Sequence, residues 1–256
     1  MAAILAIHAH PDDIETLCAG TLALLASSGH RIVIATMTGG DCGSTEWSNE
    51  ETARIRCGEA AAAARVIGAS YLCAGFGDLS LFNDDASRRR TVELLRNAQP
   101  DLVITAAPAD YHPDHEATSL LVRDACFAAP IANYRTGSAP PLASIPHLYF
   151  TDPIEGRDRD NARVVPDFAV DVGAHIESKR TMLAAHESQH SWVEKQHGIA
   201  DYVGAMESWT CRRGKHFGVA FAEGFRQYRV HPYPGQPLLQ DLVGEALLTA
   251  LADNHQ

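Results

Sequence analysis

The stretch Ala3-Ile4-Leu5-Ala6-Ile7-His8-Ala9-His10-Pro11-Asp12-Asp13 decides how this chain folds. Its first five residues are an apolar run of strand length. From Ile14 to Leu25 the apolar residues then recur at helical spacing, with Gly29 as a stop. Arg31 to Met37 reads as a second buried strand, and strand, helix and strand in this order predict a parallel pair with a right-handed crossover. In open α/β sheets ligands bind beyond the carboxyl ends of the strands, where free N–H groups of a helix start favour ionised carboxylates. His10, Asp12 and Asp13 stand at such a junction, and a histidine with two carboxylates is the composition of a divalent-metal or general-base site.

The remaining elements extend this pattern. Thr38-Gly39-Gly40-Asp41-Cys42-Gly43-Ser44 is a loop on the same rim as His10. A nucleotide cofactor is not expected, because a dinucleotide fingerprint belongs directly after the first strand, where this chain has His-Pro-Asp-Asp. Ser48 to Glu51 is a capping box that opens a helix from Glu51 to Ile67, ended by Gly68. A short strand at Tyr71–Cys73, a helix at Asp85–Ala98 and a strand at Leu102–Ala107 follow, and the loop from Pro108 to His115 brings Tyr111-His112-Pro113-Asp114-His115 to the same rim. Beyond it come a helix from Glu116 to Phe127 and a loop from Asn133 to Pro146 that is expected to overhang the site. The later elements read as strands at His147–Phe150, Phe168–Val172 and Phe217–Glu223, and as helices at Gly173–Gln189, Ile199–Trp209 and Leu238–Leu251. This alternation predicts an α/β fold, a mostly parallel Rossmann-like sheet with helices on both faces in a three-layer sandwich, as one domain over residues 1–256.

Composition narrows the function. A net charge of −11 disfavours nucleic acid and anionic membranes and points to a small-molecule substrate, leaving a homo-oligomer open. The apolar runs are too short for a leader or a span, and the six cysteines form no C-x-x-C pair, so the chain is expected to be cytoplasmic with its thiols in the core.

His10 and Asp13 are three residues apart across a turn, and His115 reaches the same point from the neighbouring loop. Two imidazoles and a carboxylate with an open position describe a catalytic zinc site, which another divalent ion would also suit. Asp12 then stands beside the metal as a general base, and His112, held by Asp114, as the acid or oxyanion partner. His8, His186 and His190 read as structural, and Trp47, Trp192 and Trp209 either line a substrate pocket or pack.

His10-Pro11-Asp12-Asp13 together with His112-Pro113-Asp114-His115 resembles the paired signature of the LmbE/PIG-L family of zinc-dependent N-deacetylases, which act mainly on N-acetylglucosamine conjugates. Weaker matches run through Thr38-Gly39-Gly40, Arg56 with Glu59, Lys179, His186-Glu187-Ser188-Gln189 and Phe221-Ala222-Glu223-Gly224-Phe225. The resemblance implies zinc on His10, Asp13 and His115, with Asp12 as base and His112, oriented by Asp114, as acid or oxyanion partner. It adds Arg56 and Asp78 as substrate contacts; some members carry a tyrosine where Asp110 stands here, which leaves the role of the adjacent Tyr111 open. The expected activity is hydrolysis of the acetamide of an N-acetylated amino sugar or related conjugate. The alternatives are a metal-dependent hydratase or lyase on the same fold and a non-enzymatic metal-dependent binding module.

Overall fold

Strict alternation along the central strands gives the molecule two separate cores. The computed structural model describes residues 1–249. In β1 (Ala3–His8), Ile4 and Ala6 face one side of the sheet and Leu5 and Ile7 the other; β2 (Arg31–Thr38) and β4 (Leu102–Thr105) alternate in the same way. The even-numbered side packs on α1 (Asp13–Leu17), α2 (Ala19–Ser27), α3 (Asn49–Val66) and α6 (Ile176–Ala184). The other side packs on α4 (Asp85–Ala98) and α5 (Pro113–Ala128), which completes the expected three layers.

Adding β3 (Ser70–Phe76), β5 (His147–Thr151), β6 (Phe168–Asp171), β7 (Ala222–Tyr228) and β8 (Leu247–Thr249) gives one open sheet of eight strands in the order β3-β2-β1-β4-β5-β7-β6-β8. The five strands from β3 to β5 are mutually parallel, and the pairs β5–β7, β7–β6 and β6–β8 are antiparallel. No helix among the described residues is long and apolar enough to cross a membrane.

Several boundaries differ from expectation for local reasons. The single helix expected over Ile14–Leu25 breaks at Cys18 (φ −146°), because the N–H groups of Gly20 and Thr21 at the start of α2 turn to the Glu223 carboxylate. The helix expected over Gly173–Gln189 ends at Ala184 and restarts as α7 (Glu187–His197), with the buried His186 at the joint. The helix expected over Ile199–Trp209 is α8 (Tyr202–Phe217): the Asp201 carboxylate accepts from Gly204 N–H at its start, and Gly218 at φ +77° stops it. That stop displaces the last central strand from Phe217–Glu223 to Ala222–Tyr228. The expected C-terminal helix over Leu238–Leu251 is the short α9 (Leu238–Val243) followed by β8, and its last two positions lie outside the described residues.

The loop over 133–146 does not overhang the site. It follows a helix, so it lies at the amino-terminal rim of the sheet, where Glu93 accepts from Thr136, Gly137 and Ala139 and Leu142 N–H donates to Ala129. The cysteines also depart from expectation: Cys18 and Cys126 are buried, but Cys42 and Cys73 are exposed and Cys57 and Cys211 half-buried.

Candidate active site

The sheet's order reverses at β1, whose two neighbours are β2 and β4, and the crevice beyond that point is where an open α/β sheet receives ligands. The register Ile7↔Thr105 makes β1 and β4 end level, so the loops carrying His10 and His112 leave side by side. The first loop is tied to β2 by Ala9 O, which accepts from Thr38 N–H (2.9 Å) and Thr38 Oγ1 (3.2 Å). Asp12 adopts φ +97°, a left-handed conformation that a non-glycine residue holds only where its surroundings impose it. Arg56, expected on substrate, is what imposes it: the buried guanidinium donates to Pro11 O (2.8 Å), Gly40 O (3.0 Å) and Asp12 Oδ2 (3.3 Å). The second loop ends when His112 caps α5, its Nδ1 accepting from Asp114 N–H (3.2 Å), with Pro113 in the first turn; His115 is therefore helical, three residues earlier than the expected start.

These elements converge on one buried cluster. Asp13 Oδ2 accepts from His10 N–H (2.8 Å) and lies 2.8 Å from His8 Nδ1 and 3.3 Å from His10 Nδ1; Asp13 Oδ1 lies 3.3 Å from His115 Nε2. Among the described residues, donor atoms close enough to share an ion form two sets that meet at His115, namely His10–His112–His115 and His8–Asp13–His115. The expected trio of His10, Asp13 and His115 spans both.

Asp114 does not orient His112, as the motif spacing suggested. Its carboxylate faces His10 Nε2 (3.1 Å) and accepts from Leu79 N–H (2.8 Å), and its only hydrogen bond to His112 is through its backbone. Asp110 treats His115 in the same way, its Oδ1 lying 3.1 Å from His115 Nδ1. Each candidate ligand histidine thus has one nitrogen facing a carboxylate of the second loop and the other turned to Asp13, an arrangement in which a carboxylate can fix the tautomer of a metal-bound imidazole. Asp110 was missed in the sequence, where it registered only as the residue standing in place of a tyrosine.

The electrostatics agree. Burial opposes charge on His10, but Asp114 and Asp13 outweigh it and raise the imidazole to about 9; Asp13 and Asp110 likewise outweigh burial at His115 and raise it to about 10. Burial raises the Asp12 carboxyl, with Asp13 adding to the rise and Arg56 opposing it. Burial together with the charges of His10 and His115 lowers His112, outweighing the opposing charges of Asp13 and Asp114.

The other candidates lie around this cluster. Asp78 Oδ2 accepts from Cys42 N–H (2.9 Å), while its buried Oδ1 has no hydrogen-bond partner and lies 3.9 Å from His10 Nε2. Tyr111 is exposed at the mouth, its ring centroid 5.7 Å from that of His112 and 5.6 Å from that of His115. His186, read as structural, is fully buried with Nε2 3.5 Å from Glu15 Oε2. It reaches the first loop from more than 150 positions away.

Residues fit for a divalent cation are therefore present. Asp13 gathers imidazole nitrogens on both oxygens, and His8 Nε2 and Asp110 Oδ2 are left without hydrogen-bond partners around it.

The chain is also similar to known proteins. The chain is 29% identical to a 1D-myo-inositol 2-acetamido-2-deoxy-α-D-glucopyranoside deacetylase of Saccharopolyspora erythraea, over 78% of this chain and 83% of that one. It is 24% identical to a 4-oxalmesaconate hydratase of Pseudomonas putida, over 73% of this chain and 74% of the relative. The solved N,N′-diacetylchitobiose deacetylase of Pyrococcus horikoshii superposes with a TM-score of 0.74 at 25% identity, covering 92% of this chain and 88% of that one. Residues 5–126, which contain both motifs, match the family model PIG-L, GlcNAc-PI de-N-acetylase.

Proposed function

We propose that the protein is a metal-dependent N-deacetylase acting on the acetamide of an N-acetylated amino sugar or related small conjugate. The observation that carries this reading is Asp12, a buried carboxylate fixed at φ +97° by Arg56 beside the imidazole and carboxylate cluster, with its affinity for protons raised. That is the position and the basicity asked of a general base. His10, Asp13 and His115 would hold a divalent ion, which would polarise the carbonyl and lower the pKa of water.

The chain's own residues do the rest. Asp12 takes the proton of the attacking water and, because its carboxyl is raised, returns it to the departing nitrogen. His112 has Nδ1 engaged by Asp114 N–H, so its proton sits on Nε2 and serves as a hydrogen-bond donor to the developing oxyanion. Arg56 holds Asp12 in place, and the free Oδ1 of Asp78 accepts from a substrate hydroxyl.

Hydration of an activated double bond is the second reading, favoured by the similarity to a hydratase. Metal-loaded protein assayed against N-acetylglucosaminides, N-acetylated thiol conjugates and unsaturated dicarboxylates separates the two. Acetate release from an acetamide supports the proposal. Water addition to a double bond without acetate release replaces it.

A further inference from the structure

The turn that carries Asp78 is built against its own backbone preference. Gly77 O accepts from Ser80 N–H (3.3 Å), and of the two residues between them only Leu79 has a positive φ, +57°. That is the pattern of a type II turn, whose third position favours glycine. An exposed leucine alone is ordinary, but a branched side chain on left-handed backbone is not, and Leu79 is both strained and 61% exposed. Neither local conformation nor burial accounts for a leucine at this position.

The site is what holds the turn. Leu79 N–H donates to Asp114 Oδ2 (2.8 Å), the oxygen that lies 3.1 Å from His10 Nε2, and Asp78 N–H donates to Asp41 Oδ1 (2.7 Å). Asp78 Oδ1, one residue earlier, lies 3.9 Å from His10 Nε2 and has no hydrogen-bond partner. One turn thus offers a free acceptor towards the cluster and a large apolar side chain to solvent beside it. Tyr111, exposed on the second loop with its ring centroid 5.6 Å from that of His115, adds a second apolar surface there. Strained backbone held by its surroundings clusters where ligands are gripped.

We propose that Leu79 is a specificity-determining residue that packs against an alkyl or aryl group carried by the substrate next to its acetamido sugar. The inference rests on the deacetylase reading and names the class of conjugate that reading leaves open. Asp78 Oδ1 orients the sugar through a hydroxyl, and Leu79, next in the chain, meets the substituent that extends outward. Covering its side chain takes apolar surface out of water, whereas a polar substituent gains nothing from it.

The experiment is calorimetry on metal-loaded Asp12→Asn protein with the methyl and hexyl β-glycosides of N-acetylglucosamine. The hexyl glycoside is expected to bind roughly tenfold more tightly. With Leu79→Ser added, the ratio of the two affinities should fall towards one. Leu79→Gly should lose the ratio in the same way while the thermal midpoint holds or rises, because glycine takes the left-handed position without strain and keeps the N–H that Asp114 accepts. A midpoint that drops would make Leu79 a structural residue and overturn the proposal. So would a ratio near one in Asp12→Asn alone, or a ratio that Leu79→Ser leaves intact, the sign that the side chain meets the sugar ring or nothing. Binding of neither glycoside overturns this proposal and the functional reading together. The expected ratio without acetate release by the wild type supports the role of Leu79 and overturns the functional reading alone.

Discussion

Two buried polar clusters flank the short helix α1, and they are built on opposite terms. At its carboxyl end Lys179 Nζ donates to Thr16 O (2.9 Å) and Glu223 Oε1 (2.5 Å), and Glu223 also accepts from Gly20 N–H (2.9 Å), Thr21 N–H (2.7 Å) and Thr21 Oγ1 (2.6 Å). Each of its charges is answered, and both side chains are fully buried. At the amino end two adjacent carboxylates share a site with three imidazoles, and His8 Nε2, Asp78 Oδ1 and Asp110 Oδ2 have no hydrogen-bond partners. The first cluster ties β7 and α6 to α1 and α2. The second keeps acceptors and donors in reserve for something that comes from outside. A satisfied buried network holds a fold together, and a partly satisfied one marks where a ligand is expected.

Asp12→Asn tests the open cluster most severely. Turnover should fall by about 10²–10⁴, the usual contribution of a general base. Stability should hold or rise, because the change removes one of two like charges buried together. Loss of fold in this variant would mean that the two clusters do the same job.

Lys179→Met should give the converse. Removing one partner of a buried ion pair costs about 3–5 kcal/mol, since the Glu223 carboxylate is left without its counter-charge. Denaturant unfolding should show that loss, while turnover per folded molecule stays near wild type. A large drop in turnover with unchanged stability would move Lys179 into the catalytic machinery.

Asp114→Asn and Asp110→Asn probe how the open cluster is prepared. Each carboxylate faces one candidate ligand histidine, His10 at 3.1 Å and His115 at 3.1 Å, so each change should weaken metal affinity by roughly 10–100-fold with little loss of stability. Competition titration with a chelating dye reads this directly. If Asp114→Asn instead leaves affinity intact and alters only turnover, its carboxylate serves His112 after all.

How much of this was legible in the sequence depends on the range of the interaction. The β1–α–β2 unit and both histidine motifs were readable because apolar period, turn residues and ligand types sit within a few positions of one another. The expected ligands His10, Asp13 and His115 do meet, because strands that pair in register end at one rim. The partner of Asp114 was misread because proximity in sequence favoured His112, two residues away, whereas the carboxylate faces His10, 104 positions away. The later matches, Lys179 and Glu223, belong to the closed cluster, and Glu59 accepts from Ser188 N–H (2.7 Å) and Oγ (2.6 Å) at the start of α7. A motif scan cannot separate those staples from catalytic groups, because both kinds are charged residues set in apolar surroundings. In the C-terminal half the strand and helix limits moved because Asp201 and Gly218 fix α8, and single caps outweigh a diffuse apolar pattern there.

The smallest test uses two glycines, one against each cluster. A Cβ at Gly20 would sit 2.7 Å from Val172 Cβ and 3.1 Å from Glu223 Oε1 in the closed cluster. The backbone of Gly20 is helical, so alanine gains about 1 kcal/mol of helix propensity, but overpacking against a branched side chain near its own backbone costs about 1–3 kcal/mol. Gly20→Ala should therefore lose stability by about 1 kcal/mol and leave turnover unchanged. Gly40 has φ +70°, and a Cβ there would lie 2.3 Å from Arg56 Nη1, the far end of a flexible side chain. Left-handed backbone costs alanine roughly 1 kcal/mol, and the guanidinium must withdraw from Gly40 O and with it from Asp12. Gly40→Ala should thus show a comparable loss of stability together with reduced turnover, because Asp12 is no longer held. If both variants lose stability alone, Arg56 does not position Asp12 and the open cluster is less finely held than its geometry implies. Reduced turnover in Gly20→Ala would show instead that the closed cluster reaches through α1 to the chemistry.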